Sequence, residues 1–495
     1  MRKRLSLILP VLCISSCPAP GATWYVDDSV PASGDGLSWE TAFPAIQEAI
    51  DAAFDGDKVF VAPGTYLENA HFHGKSIILR STNPFDPGVV AATIIDGNNA
   101  GPVVTFSGSE DRTCVLEGFT LQNGFASNGG GVCGGTRDQL TRARIQYNTI
   151  TKNKAGYGGA IAWCGGRIQI NTITANSAVY YGGGLWECFG TIQSNKITGN
   201  SAGDDGGGLH NCDGTIRRNT IRGNSAGWFG GGLAGCDHLI RNNVIIANSA
   251  EWRGGGLWGC RAIIENNLVA GNYAGSDGGG LYACDKIVES NTIADNSAGG
   301  YGGGTSSCNG TIRNCIIWGN TATNNPEIDH SSDPTYSCVR DWSAGGEGNI
   351  AEDPAFVDRD GPDDNPLTYD DNDYRLSSDS PCVDKGKNED WMQHAVDLDG
   401  KTRIFDGGVS FTVDMGCYEV GPWTFGIFEV IMGEIGEPEV TWRGWPGDTY
   451  TVWSCLNLPF EGWVQEAAVP SQGTTTTWSD PNAALLGKFY RVERK

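Results

Sequence analysis

Residues 188–212 read C-F-G-T-I-Q-S-N-K-I-T-G-N-S-A-G-D-D-G-G-G-L-H-N-C, and the run from one cysteine to the next is one period of an array. Cys164, Cys188, Cys212, Cys236, Cys260, Cys284 and Cys308 recur every 24 residues. A fixed period of this size is the signature of a solenoid, in which each unit buries its apolar face only by stacking on its neighbours. Ile168, Ile192, Ile216, Ile240, Ile264, Val288 and Ile312 form one apolar column. A second follows at Ile173, Ile197, Ile221, Ile245, Val269, Ile293 and Ile317, and a third at Leu185, Leu209, Leu233, Leu257 and Leu281. Apolar positions this sparse, rich in β-branched residues and separated by Asn, Gly and Ser, spell short strands joined at corners rather than helices. The pattern predicts an all-β chain folded as a right-handed parallel β-helix, with three strands per turn and 24-residue rungs about 4.8 Å apart.

Two asparagine columns, one through Asn171, Asn195 and Asn219 and one through Asn176, Asn200 and Asn224, read as corner ladders. Asn tolerates the left-handed conformation of a bend, and stacked amides hydrogen-bond along an array. The triple glycines beginning at 182, 206, 230, 254, 278 and 302 mark further bends and lack the context of a phosphate loop. In-register cysteines keep their Cβ atoms too far apart for disulfides, and a single file cannot surround a zinc ion. The cysteine column therefore reads as stacked thiols in a dry core.

The 495 residues carry a formal charge of −24, which argues against a nucleic-acid partner. Met-Arg-Lys-Arg followed by Leu5 to Ile14 reads as a signal peptide over 1–21, too short to span a bilayer. It admits cleavage after Gly21 or, through Ile14-Ser15-Ser16-Cys17, a lipoprotein signal that would place a lipid on Cys17. No other stretch is apolar enough for an anchor. The expected segments are the β-helix over 22–320, an acidic loop-rich extension over 321–420, and a small C-terminal β-sandwich over 421–495. Phe43, Ile46, Ile50 and Phe54 stand at helical spacing within Ser38–Phe54, predicting a helix that caps the open end of the solenoid.

That helix leads into Val59-Phe60-Val61-Ala62-Pro63-Gly64-Thr65-Tyr66 and then Gly/Asn-rich rungs, an order that resembles the N-terminal entry of the pectate-lyase-like β-helix superfamily. The rungs, with TITKN at 149–153 and GGAI at 158–161, resemble the repeats of polymorphic outer-membrane proteins, with Ile mostly in place of Phe and without their β-barrel. The extension (GNIAEDPAFVD, DYRLSSDSPCVDKG, DLDGKTR, DMGCYE) resembles the choice-of-anchor segment of secreted bacterial β-helices. These resemblances imply a fold more than a chemistry. Export permits disulfides, and the expected pairs are Cys315 with Cys338 and Cys382 with Cys417.

Function on a solenoid lives at the variable positions. Tyr180, Tyr181, Trp186, Asp204, Asp205, Trp228, Trp252, Trp258 and Tyr282 interleave rings and carboxylates in an outward stripe. Rings stack on sugar faces and acids accept hydroxyl hydrogen bonds, so the stripe suits glycan; large side chains covering glycine-rich bends would give the same pattern. For an enzyme, the residues to examine are Asp213 and Asp237 on successive rungs, near the separation of a retaining glycosidase pair, with Arg261 above them as neutraliser or lyase base. Asp and Asn also suit such turns for backbone reasons. The superfamily's glycosidase G-H-G hallmark is missing. Asp397 and Asp399 lie in a fragment of a calcium loop that lacks the rest of the pattern, so no cofactor is required and calcium is the one to test. The expectation is an exported, non-catalytic binder of polysaccharide or a cell-envelope surface, an adhesin or envelope component, with a polysaccharide lyase or glycoside hydrolase as the alternative.

Overall fold

The computed structural model describes residues 21–404 except 364 and 366–370, residues 412–420, and the backbone of six strands between 427 and 494. Cys17 and all but the last residue of the expected signal peptide over 1–21 lie outside the described residues.

The 24-residue period is the rung of a parallel β-helix. Ile168 pairs with Ile192, Ile173 with Ile197, and Leu185 with Leu209, each one period apart. Four sheets run along the solenoid. Sheet 1 has twelve strands, from Thr23–Val26 to Thr311–Arg313; sheet 2 has twelve, from Gly64–Leu67 to Cys338–Val339. Sheet 3 has nine, from Phe125–Asn128 to Thr321–Asn324, and sheet 4 eleven, from Ala70–His71 to Ile328–Asp329. The expected count was three strands per turn. The fourth comes from the Ser-Ala pairs, such as Ser177–Ala178, which follow the second asparagine corner and bury a column of alanines too small to stand out as apolar.

The three large apolar columns and the cysteines fill one continuous core. Asparagine works at the corners by its side chain. Nδ2 of Asn195 donates to Oδ1 of Asn219 (3.0 Å) and to the Ile168 carbonyl (2.9 Å), and the backbone N–H of Asn195 donates to the same Oδ1 (2.9 Å). The left-handed residue is the one before it, as at Ile170, Ser194 and Arg218 (φ 54–55°). The bend and the amide that holds it are therefore divided between two positions. The ladder cysteines are free and fully buried; the Cys188 and Cys212 thiols each donate to the carbonyl two residues back (3.5 Å). Burial pushes the Cys164 thiol up to about 12.

The capping helix α1 is shorter than expected, Ile46–Ala52, preceded by a 3-10 turn at Trp39–Thr41. Ile46, Ala49 and Ile50 close the core, whereas Phe54 is 76% exposed. The helix lacks its own capping side chain. Glu68 supplies the cap from the solenoid, accepting the Ile46 and Gln47 N–H groups at 2.8 Å each.

The extension first adds Ile328–Asp329 to sheet 4 and Cys338–Val339 to sheet 2. It then folds back over the outer face of sheet 2. Tyr374 and Cys417 pack against Ile246, Leu268, Ala270 and Ala294, while Leu376, Cys382 and Met415 pack against Ile316 and Trp318. Buried Arg403 donates to the Asn266 side chain (2.9 Å), and Trp391 donates to Glu289 (3.1 Å). The six C-terminal strands form two three-stranded antiparallel sheets. No helix of the described residues is long and apolar enough to cross a membrane.

Candidate functional site

The bend from sheet 4 to sheet 1 builds a cleft of about 690 Å³ in the N-terminal half of the solenoid, a volume typical of ligand sites. Its wall follows from register. Arg144 and Arg167 each immediately precede the paired isoleucines Ile145 and Ile168, so two arginines stack on adjacent rungs, with Thr191 and Thr215 in the same column on the next two. Arg112 and Arg142 complete a basic rim. The floor is the glycine column Gly166, Gly190 and Gly214. A Cβ on Gly190 would overlap the Gly166 carbonyl oxygen, and one on Gly214 the Gly190 carbonyl oxygen, so the floor stays bare backbone. Where His238 replaces glycine in this column, the cleft ends. Phe189, 38% exposed, offers a ring at the side.

The electrostatics are unusual for a chain of charge −24. Among the described residues none of the four arginines has an acidic partner. Arg144 is only 9% exposed, and its Nε is buried without a hydrogen-bond partner. A desolvated guanidinium left unpaired is costly, and such a group usually meets an anion. Asp213 is the sole carboxylate among the described residues lining the cleft; burial pushes it above the usual range, partly offset by the N–H of Asp237.

Of the three residues considered for an enzyme, only Asp213 lines the cleft. Asp213, Asp237 and Arg261 do stack on successive rungs, but as a turn ladder. Asp213 Oδ1 accepts the Asp237 N–H (3.0 Å), Asp237 Oδ1 accepts the Arg261 N–H (2.8 Å), and Asp285 Oδ1 accepts the Asn309 N–H (2.9 Å). The arginine cleft itself was not anticipated. Its signal lay in the sequence as Arg144 and Arg167 before equivalent isoleucines, hidden because the earlier repeat is 23 residues long rather than 24.

The aromatic stripe lies on the other side of sheet 4, at the bend from sheet 3, and much of it packs on itself. Three of the residues just before a triple glycine meet the outward residue of the sheet-4 strand one rung on. Tyr181 stacks on His210 (4.6 Å, 12°), Phe229 on Trp258 (4.7 Å, 12°), and the Arg253 guanidinium lies 4.9 Å over Tyr282. Trp186 is likewise covered by Tyr157 (4.7 Å). Asp205 accepts the Phe229 N–H (3.2 Å) and is raised by burial to about 6; beside it stands Asp204. The open rings are Tyr180, Trp228 and Trp252, the last two stacked at 6.2 Å and both more than half exposed.

The calcium candidates are engaged by protein donors. Asp397 is buried and accepts the Lys401 and Glu419 N–H groups (2.6 and 2.9 Å), while Asp399 receives Arg375 in a bidentate pair (2.5 and 2.7 Å). The expected disulfide pairs do not meet. Cys315 points into the solenoid core, whereas Cys338, which pairs with the next residue Ile316, points outward, so the two are one pleat position apart. Cys417 sits in a different cluster from Cys382.

The fold places the chain among parallel β-helix proteins. No family model and no curated protein matches its sequence. Similar solved structures include the pectate lyase Pel9A, at 16% identity over 81% of this chain and 97% of that one, with a TM-score of 0.42. Another is a variant of the PL6-family alginate lyase AlyGC, at 14% identity over 68% of this chain and 54% of that one, also with a TM-score of 0.42.

Proposed function

We propose that this β-helix is an exported protein that holds an anionic polysaccharide in the arginine cleft, as a binding component of a cell envelope or secreted material. The observation that carries the reading is Arg144, buried with an unpartnered Nε among three further unpaired arginines. The guanidinium fork matches a carboxylate or sulfate bidentately. The bare glycine floor lets a flat sugar ring approach the backbone, Phe189 can stack on its apolar face, and Thr191 and Thr215 can bond its hydroxyls. The exposed Trp228 and Trp252 pair supports a second contact for glycan on the far side of sheet 4.

A second reading, a polyuronate lyase, is favoured by Asp213 and His238 lining the same cleft. Arginines pairing with a uronate carboxylate would acidify the adjacent C–H. A base in the cleft would take that proton as the electron pair forms a C=C bond and the glycosidic C–O bond breaks, the departing oxygen taking a proton from water.

One assay separates these. Calorimetry with polygalacturonate, alginate and a neutral glucan is run beside ultraviolet detection of the unsaturated product. Binding to a polyuronate and not the glucan is expected, with Arg144→Gln and the more exposed Arg167→Gln each weakening it about tenfold, the scale of a buried ion-pair contact. No affinity for any anionic glycan, or full affinity in both folded variants, would overturn the proposal. Product formation lost in His238→Ala or Asp213→Asn, with binding retained, would establish the lyase reading instead.

A further inference from the structure

The returning extension brings two cysteines together that the sequence does not pair. Cys338 stands on the last strand of sheet 2 with its side chain outward, and Cys382 lies in the turn that follows Ser380. Both are fully buried in one small cluster with Ile316, Trp318, Leu376 and Met415, and among the described residues no other cysteine belongs to it. They are neighbours there, and the Cys382 side chain, together with burial, pushes the Cys338 thiol up. The surroundings fix both backbones: the Cys382 N–H donates to Ser380 Oγ (3.1 Å), the Met415 N–H to the Cys382 carbonyl (3.1 Å), and the Cys338 N–H to the Cys315 carbonyl (2.8 Å).

We propose that Cys338 and Cys382 form a disulfide that fastens the extension to the end of the solenoid. These two differ from the ladder cysteines in geometry. Ladder thiols project from in-register parallel positions, which keep Cβ atoms a full strand spacing apart, whereas Cys338 and Cys382 come from a strand and a facing turn. The reaction is an exchange with a disulfide oxidant. The two thiols lose two protons and two electrons and become one S–S bond, and the oxidant's disulfide is reduced to two thiols. Because the docked pair is buried, exchange takes place while the extension is still closing. The bond shuts a long loop, so it restricts the unfolded chain.

The test is performed on the full chain refolded with a glutathione redox couple, alkylated in denaturant without reductant, digested, and mapped by mass spectrometry. The expected result is a cross-linked peptide pair carrying Cys338 and Cys382, with Cys212 and Cys236 alkylated as free thiols. In Cys382→Ser, Cys338 becomes open to alkylation under the same conditions. Alkylation of Cys338 and Cys382 to the extent of Cys236, a link from either to Cys315 or Cys417, or Cys338 remaining blocked in Cys382→Ser, would each overturn the proposal.

Discussion

Single asparagines carry much of the rung's definition. Asn224 Oδ1 accepts both the N–H and the Nδ2 of Asn200, while its own Nδ2 donates to Ile197 O and Asn248 Oδ1. Asn224→Ala strands several buried partners at once, and at about 1–3 kcal/mol for each unsatisfied group the expected loss is about 3 kcal/mol or more. Urea titration checks this; a loss below about 1 kcal/mol would mean that the ladder merely fills space. The ladder ends at Glu327, whose carboxylate accepts Asn320 Nδ2 (2.6 Å) and pairs with Arg340 (2.8 Å). Burial raises Glu327 from an ordinary 4.5 to about 7, so the folded chain keeps a proton that the unfolded chain loses first. Its contribution is full below about pH 4.5 and is lost as pH rises through about 7, on the order of 3 kcal/mol. Asp397 and Asp414, raised by burial to about 7 and about 6, act in the same direction. The melting temperature should fall from pH 5 to pH 8, less steeply in Glu327→Gln; an equal slope in that variant would remove Glu327 from the account. The asparagine columns were plain in the sequence because identity repeats in register. The left-handed position was not, because Ile170, Ser194 and Arg218 share a backbone angle and no side-chain chemistry.

At the scale of strands, a rung's inward residues are constant while its outward ones report what covers them. In sheet 2 the outward position runs Thr172, Lys196, Thr220 and then Val244 and Leu268, and two residues on it turns from Thr198 and Arg222 to Ile246, Ala270 and Ala294. That change marks where the extension docks, through Tyr374 and Cys417. It was visible as a drift in an otherwise regular column, but period-based reading averages over columns and passes it by. Strand count failed for a related reason, since alanine signals burial weakly. Leu268→Asp places a carboxylate in this dry contact, a change that costs several kcal/mol where no partner is present. The extension should then undock while the solenoid, whose core faces the other way, stays folded. Limited proteolysis should cut early within 350–420 and spare the array; an unchanged cleavage pattern would show that Tyr374 and its neighbours do not hold the segment.

Over the whole molecule, charge is distributed against its own average. A chain of −24 repels polyanions at long range, yet it keeps an arginine cleft on the first regular rungs, where the column of Arg144 and Arg167 gives way to Thr191 and Thr215 and then to Leu239. Among the described residues the extension covers the later rungs of sheet 2, and the cleft lies on the other side of sheet 1. Two opposing electrostatic terms follow for an anionic polymer, a diffuse repulsion and a short-range attraction. Salt screens the first strongly, because its charges lie farther apart than the ~8 Å Debye length at physiological ionic strength, and the second less, because Arg144 is buried. Association with a polyuronate should therefore quicken as salt rises from ~0.01 M to ~0.15 M and affinity should decline only above that, unlike an exposed basic patch, whose binding weakens from the outset. Stopped-flow association rates together with equilibrium titration across that range test the arrangement. A monotonic fall in both from the lowest salt would show that surface charge, not the buried guanidinium, governs capture.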